Sequence, residues 1–334
     1  RSAGVTTADD GASLRCVVTN DLGSETSPEA TLTVFAPGGP RVESGQIALY
    51  TFEASGDTIF DRSGFGTPLD LVVADPSAVT PTPDGLSIDA PVTITSPTDA
   101  SKISSAIGAS GEVTLEAWIQ PANLTQNGPA RIVSLSGGPL ARNVTLGQGV
   151  YEQGADRLEV RLRSTESTVN GLPALATANG SLTTALQHVV FTRTAGGTAR
   201  IFVDGIERAR GPALGDLSNW NTSFALALAN EIGGDRPWLG TLGLVAFYDR
   251  ALSTEEIFQN FAAGPTPQIV ATSTPASTRF ALGANVPNPF NPSTTISFEI
   301  PARADVSLAV YDLRGRRVAS LVRGSYAAGA HTVR

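Results

Sequence analysis

The 334-residue chain has no methionine, one cysteine and two histidines. Without methionine there is no translated start, so Arg1 is expected to follow further sequence, and any leader peptide would lie ahead of it. A single cysteine excludes a disulfide within the chain. Cys16 is either a buried free thiol or the partner of a cysteine upstream. No run of about 18 apolar residues occurs, which excludes a membrane-spanning helix. Charged residues make up only 16% of the chain and the net charge is −8, which argues against nucleic acid or an anionic membrane as a partner. With so few histidines, and no G-x-S-x-G nucleophile elbow, no catalytic set is in view. His188 and His331 read as structural residues satisfied by local hydrogen bonds.

Glycine and proline are plentiful, at 34 and 22 residues, as a chain of many short strands and turns requires. The clearest stretch is ALQHVVFTRTAGGTARIFVDGIERAR, residues 185–210. Its side chains alternate in facing, with turns at Ala195-Gly196-Gly197 and Asp204-Gly205, so it reads as three consecutive antiparallel strands. Further strands are expected near Ile47–Phe52, Val113–Gln120, Arg131–Leu135, Arg157–Arg163, Phe224–Leu228 and Thr241–Tyr248. One helix is expected after Ser253. That residue caps it, Glu255 and Glu256 occupy its first turn, and Gly264 stops it. Ile257, Phe258 and Phe261 would lay this helix on the sandwich. The fold class is all-β, a sandwich of two antiparallel sheets with one short C-terminal helix.

Three resemblances divide the chain. In residues 1–35, Asp10, Gly11, Cys16, Val18 and Asn20 resemble the last strands of an immunoglobulin-like domain. Leu14 stands where that family has its tyrosine corner. Residues 41–264 resemble the laminin-G-like, concanavalin-A-like jelly rolls. The match rests on Phe52-Glu53 through Gly64, on the strands around Trp118 and His188, and on Gly240 through Ile257. Residues 265–279 form a Pro/Thr/Ser linker. Residues 280–334 resemble the start of a type IX secretion C-terminal sorting domain, through Pro287-Asn288-Pro289-Phe290-Asn291-Pro292, Val310-Tyr311-Asp312, Gly315-Arg316 and Ala328-Gly329 with His331. The central sandwich is thus expected between partial immunoglobulin-like β domains.

The jelly-roll resemblance implies two candidate sites. A structural Ca²⁺ would be held by Glu53, Asp61 and Ser63, hard oxygen donors near one loop. The alternative is a turn in which Asp61 makes an Asx-type hydrogen bond. Gly243 stands where the family commonly adds an acid. A glycan would stack on Trp220 or Tyr151, with Asn219, Asn221, Asp235 and Arg236 as polar contacts if their loops converge. The alternative is that these aromatics seal the end of the sandwich. Trp118 reads as core, and Trp238 as the start of a strand. Glucanases of this fold carry E-x-D-x-x-E on one strand; here Glu116 is a lone acid. The expected function is a non-catalytic extracellular or outer-surface module that recognises a glycan or cell-surface polysaccharide, exported by the type IX secretion machinery. An accessory module of an extracellular polysaccharide-active enzyme or oxidoreductase, and a structural spacer, are the alternatives.

Overall fold

The computed structural model describes residues 9–20, 23–32, 34, 38–52, 57–265, 281–282, 296–300, 304–311, 316–326 and 329–333. The chain divides into two compact units, Arg1–Gln268 and Ile269–Arg334. The first unit opens with β1 (Ser13–Leu14), β2 (Val17–Asn20), β3 (Gly23–Thr26) and β4 (Ala30–Thr31). β1 pairs with β4 and β2 with β3. Leu14, Val17 and Val18 are all exposed, so this stretch builds no core of its own among the described residues. Cys16 is exposed too, which goes against the buried-thiol alternative.

The sandwich follows. Its elements are β5 (Gln46–Tyr50), β6 (Thr58–Ile59), β7 (Leu71–Val73), β8 (Val79–Thr82), β9 (Gly85–Ile88), β10 (Ile94–Thr95) and α1 (Ser101–Ser110). Then come β11 (Val113–Pro121), β12 (Ala130–Gly138), β13 (Ala141–Val150), β14 (Gly154–Leu162) and β15 (Leu175–Ala176). The series closes with β16 (Gln187–Arg193), β17 (Thr198–Val203), β18 (Ile206–Pro212), β19 (Ala225–Leu228), β20 (Gly240–Tyr248) and α2 (Thr254–Ala263). One sheet has the order β15-β14-β13-β12-β19-β10-β7-β6. The other has the order β18-β17-β16-β11-β20-β9-β8, with β5 also paired to β20. The period of two decides what each strand buries. On β14, Leu158, Val160 and Leu162 enter the core between the sheets, and Glu159 and Arg161 alternate with them. The expected Asp204-Gly205 turn is present, with φ of 53° and 75° at the two residues, the left-handed pair that a two-residue hairpin needs.

The helix α2 carries its predicted cap. The Ser253 hydroxyl accepts from the Glu256 amide, and the Glu256 carboxylate accepts from the Ser253 amide. Its Ile257 packs with Trp118, Val190, Phe202, Leu244 and Tyr248 in a second apolar cluster. This is the opposite face of the β11–β16–β20 sheet from the main core, because alternate residues of those strands, such as Ala117 and Val189, belong to the main cluster. The helix therefore forms a third layer. A second helix, α1, has no counterpart in the sequence reading. It buries Ile103, Ser104 and Ile107.

The second unit contains β21 (Ala281–Leu282), β22 (Ile296–Ile300), β23 (Ala304–Tyr311), β24 (Arg317–Tyr326) and β25 (Gly329–Val333). β22 lies between β21 and β25, and β23 pairs with β24. Phe298, Ile300 and Val322 are its buried apolar residues. His331 stands opposite Phe298, with ring centroids 5.3 Å apart. The Pro287–Pro292 motif and, of the other sorting-domain motif residues, Asp312, Gly315 and Ala328 lie outside the described residues.

Candidate ligand groove on the sandwich rim

The rim loop Ala229–Pro237 leaves β19 through Ala229, which sits at φ 62°. Its shape is set from inside. Asn230 Oδ1 accepts from the amides of Glu231 (2.9 Å) and Arg236 (3.0 Å), and the Arg131 amide donates to the Arg236 carbonyl at 3.0 Å. Trp238 is fully buried and its indole N–H donates to Gln148 Oε1 at 2.8 Å. Gln126 pairs with the Leu239 backbone as a strand would. Its Oε1 accepts from the Leu239 amide (2.7 Å), and its Nε2 donates to the Leu239 carbonyl (2.8 Å) and to Gln148 Oε1 (3.0 Å). Gln148 in turn donates to the carbonyls of Asn123 (2.8 Å) and Ala155 (3.1 Å). Three loops, 122–129, 151–153 and 229–239, are thereby tied together by side-chain hydrogen bonds.

Between the first and last of these loops lies a shallow groove of about 350 Å³, edged by Pro91, Asn123, Asn127, Asp235, Arg236 and Leu239. The Asp235 carboxylate and Arg236 guanidinium make no hydrogen bond or ion pair within the described residues, so both heads are available to a ligand. Tyr151 is 56% exposed on the adjoining β13–β14 turn. That turn comes close to the first loop: a Cβ on Gly128 would lie 3.0 Å from the Gly149 backbone.

Beneath the loop, Glu231 is fully buried. Its carboxylate accepts from Arg131 Nε (3.2 Å), Ser134 Oγ (3.1 Å), Ser136 Oγ and its neighbour's amide, Ile232 N (3.2 Å). Arg142 Nη1 stands 3.7 Å away. Burial pushes the Arg142 guanidinium down to about 10, the charge of Arg131 adds to this, and Glu231 opposes it. Glu159 and Arg161 form a second pair at 2.6 Å. None of these five charged residues was singled out as functional in the sequence. For Glu159 and Arg161 the signal was the alternation of charge with aliphatic residues in RLEVRL, residues 157–162, but alternation names a face and no partner.

The other expected glycan residues fall elsewhere. Trp220 is 6% exposed, belongs to the main core, and donates its indole N–H to the Arg163 carbonyl at 2.8 Å. Its ring has no free face for a sugar, so it seals the sandwich and the stacking expectation is corrected. Asn219 donates to the Ser164 carbonyl at 2.8 Å. Asn221 is held through its backbone, its amide and carbonyl both pairing with the Asn143 side chain at 2.8 Å. Asn143 and Gln148 lie five residues apart on β13, roughly 17 Å of strand. Trp220, Asn219 and Asn221 therefore sit away from Asp235, Arg236 and Tyr151, and the expected set divides in two.

For the expected calcium site, Glu53 lies outside the described residues. Asp61 is buried and saturated. Its Oδ1 accepts from the amides of Leu49 (3.2 Å) and Ser63 (3.0 Å), and its Oδ2 from the Leu69 amide (3.1 Å) and from Lys102 Nζ (2.5 Å). Burial pushes the Asp61 carboxyl up, yet Lys102 and these amides outweigh it and hold it below its ordinary value. Ser63 takes part in an Asx-type turn, its hydroxyl donating to the Ile47 carbonyl at 3.3 Å. No group of three or more His, Cys, Asp or Glu side chains could hold a metal ion among the described residues. With an ammonium already on Asp61, the described pair Asp61 and Ser63 does not fit a calcium ion.

Glu116 has a different role from the lone acid of the sequence reading. Fully buried, it receives His188 Nε2 (2.7 Å) and Arg41 on Oε1, and Asn260 Nδ2 (2.8 Å) on Oε2, with the Tyr248 hydroxyl 3.4 Å away. Burial pushes its carboxyl up, but Arg41 and His188 outweigh burial and bring it down to about 2. The same Arg41 donates to the Gly264 carbonyl at 2.6 Å. Glu116 thus clamps the entry of the sandwich to its exit. With its acceptor sites filled, it is not poised to take a proton from a substrate.

No curated protein sequence matches the chain. Among solved structures, the Trypanosoma rangeli sialidase in complex with sialic acid is similar at 19% identity and a TM-score of 0.49, over 66% of this chain and 34% of that one. The binding domain of botulinum neurotoxin DC in complex with rat synaptotagmin II is similar at 15% identity and a TM-score of 0.47, over 66% of this chain and 52% of that one. The chain therefore spans about a third of the sialidase and half of the toxin domain. The family model of the concanavalin A-like lectin/glucanases superfamily matches residues 95–258, a stretch that lies within the antiparallel jelly-roll sandwich.

Proposed function

We propose that the sandwich is a non-catalytic carbohydrate-recognition module that holds a glycan in the rim groove. The observation that carries this is the pairing of unengaged polar heads, Asp235 and Arg236, with a rim fixed from beneath by Gln126, Gln148 and Trp238. Sugars present adjacent hydroxyls that both donate and accept. A carboxylate and a guanidinium side by side meet both roles, and little ordering cost remains when the loops are already fixed. Tyr151 supplies an exposed ring on the adjoining turn. The fully buried acids Glu116 and Glu231 are committed to internal partners.

Glycan-array screening of the 334-residue chain, followed by calorimetry on the best ligand, tests this. Asp235→Ala and Arg236→Ala should each weaken binding by about 10-fold or more, as loss of a charge-assisted hydrogen bond does. Tyr151→Ala should weaken it by several-fold, and Asn221→Ala should leave it unchanged. A chain that binds no glycan on the array, or binds equally well without Asp235 and Arg236, removes this function.

The closeness of the sandwich's entry and exit supports an accessory module in preference to a spacer. Gly38 N donates to the Ala262 carbonyl at 2.8 Å, and Arg41 reaches Gly264. Entry and exit adjoin, so the sandwich hangs from the path of the chain and adds little length to it. Export to the outer surface through residues 280–334 is part of the proposal. It rests on the sorting-domain motifs, and deletion of those residues should abolish surface display.

A further inference from the structure

We infer that the Lys102 ammonium is the resident cation of the 61–69 loop, a tethered replacement for a structural metal ion, so that this sandwich folds and binds independently of calcium. The ammonium is surrounded by oxygens: Asp61 Oδ2 at 2.5 Å, the Phe65 carbonyl at 2.8 Å and the Thr67 carbonyl at 3.3 Å. The Phe65 ring centroid adds a further cation-attracting face at 5.9 Å. One carboxylate and two backbone carbonyls from a single loop are the donors that a hard cation takes.

The position of Lys102 supports a dedicated role. It is the second residue of α1, a helix with no side-chain cap at Ala100 and no acid in its first turn. A positive charge there opposes the helix dipole, so the residue is unfavourable on local grounds. It is offset by the buried Asp61, whose side chain is 1% exposed while that of Lys102 is 14% exposed. Asp61 meanwhile spends its remaining capacity on the Leu49, Ser63 and Leu69 amides. Through this one ammonium the 61–69 loop is pinned to α1, in the way a bound ion pins two segments. An entering calcium ion would have to displace it against charge repulsion.

The test uses the full chain, with CaCl₂ as the probe, read by thermal unfolding in EDTA or in millimolar CaCl₂ and by calorimetric titration. The parent should melt at the same temperature in both and release no binding heat. Lys102→Ala should melt roughly 5–10 °C lower in EDTA, regain at least half of that loss in CaCl₂, and show a heat of calcium binding absent from the parent. Lys102→Arg should stay calcium-insensitive, and Lys102→Gln serves the same comparison if the alanine variant does not fold. A parent that binds calcium or is stabilised by it overturns the inference without any variant. So does a Lys102→Ala chain that melts like the parent in EDTA, or one that is destabilised and gains nothing from calcium, since Lys102 would then be an ordinary ion pair.

Discussion

Glu231→Gln should destabilise the sandwich by about 3–5 kcal/mol, the cost of removing one partner from a buried ion cluster. The reason is what the substitution leaves behind. Arg131 and Arg142 are both buried, and the Glu231 carboxylate is the negative charge that lies between them. Their guanidiniums already sit below the ordinary arginine range because burial disfavours their charge. With a neutral amide in place of the carboxylate, two cations face each other out of water. The loop should suffer as well, because the same carboxylate takes the Ile232 amide and both Ser134 and Ser136 hydroxyls. Urea unfolding should report the stability loss, and hydrogen exchange should rise selectively over residues 229–239. Glycan affinity should fall although Glu231 never meets the ligand. Adding Arg142→Leu to Glu231→Gln should recover part of the loss, since contacting residues are not additive. A Glu231→Gln chain with the parent's unfolding midpoint and exchange pattern would show that the cluster contributes nothing.

Glu116→Gln should cost a similar amount, and its effect should depend on pH. In the unfolded chain a glutamate titrates near 4.3; in the sandwich Glu116 is held at about 2, burial being outweighed by Arg41 and His188. A carboxyl lowered by folding contributes its full stability above its unfolded pKa and loses it as the pH falls toward the folded value. About 3 kcal/mol from this one group should therefore disappear between roughly pH 5 and pH 2. Asp61, also held below its ordinary value, adds loss in the same direction. The glutamine variant has no such proton to take up at position 116. Urea midpoints of parent and variant should be far apart at pH 7 and converge as the pH approaches 2. A gap that stays constant across that range would mean that Glu116 is not the titrating group.

The legible parts of this protein were those written in local pattern. The strands β11, β14, β16, β17 and β20 were located to within a few residues, because their inward positions recur every second residue. The helix α2 announced itself through Ser253 and Glu256, whose reciprocal hydrogen bonds are a local event. The strand β13 was overlooked because RNVTLGQGV, residues 142–150, holds two glycines and little aliphatic alternation. The close approach of Pro129 and Ala130 at Gly147, where a Cβ would lie 3.1 Å from each, explains the first of these. The helix α1 was missed for the opposite reason. It has no cap and a cation at its start, and it exists because Ile103 and Ile107 have a core to enter. Trp220 misled because its neighbours Asn219, Asn221 and Thr222 are polar, yet Asn221 and Thr222 are exposed while the Trp220 ring is buried.

From residue order alone came the two-layered antiparallel architecture and the capped helix laid upon it. Tertiary structure alone decided which charges meet. Glu231 finds Arg131 across 100 residues of chain, Glu116 finds Arg41 across 75, and Asp61 finds Lys102 across 41. A periodic pattern tells each side chain which face to occupy, because that follows from backbone geometry a few residues long. It cannot tell a buried carboxylate which cation stands beside it, because that neighbour arrives on another strand or helix whose register is set only when the sheets have closed.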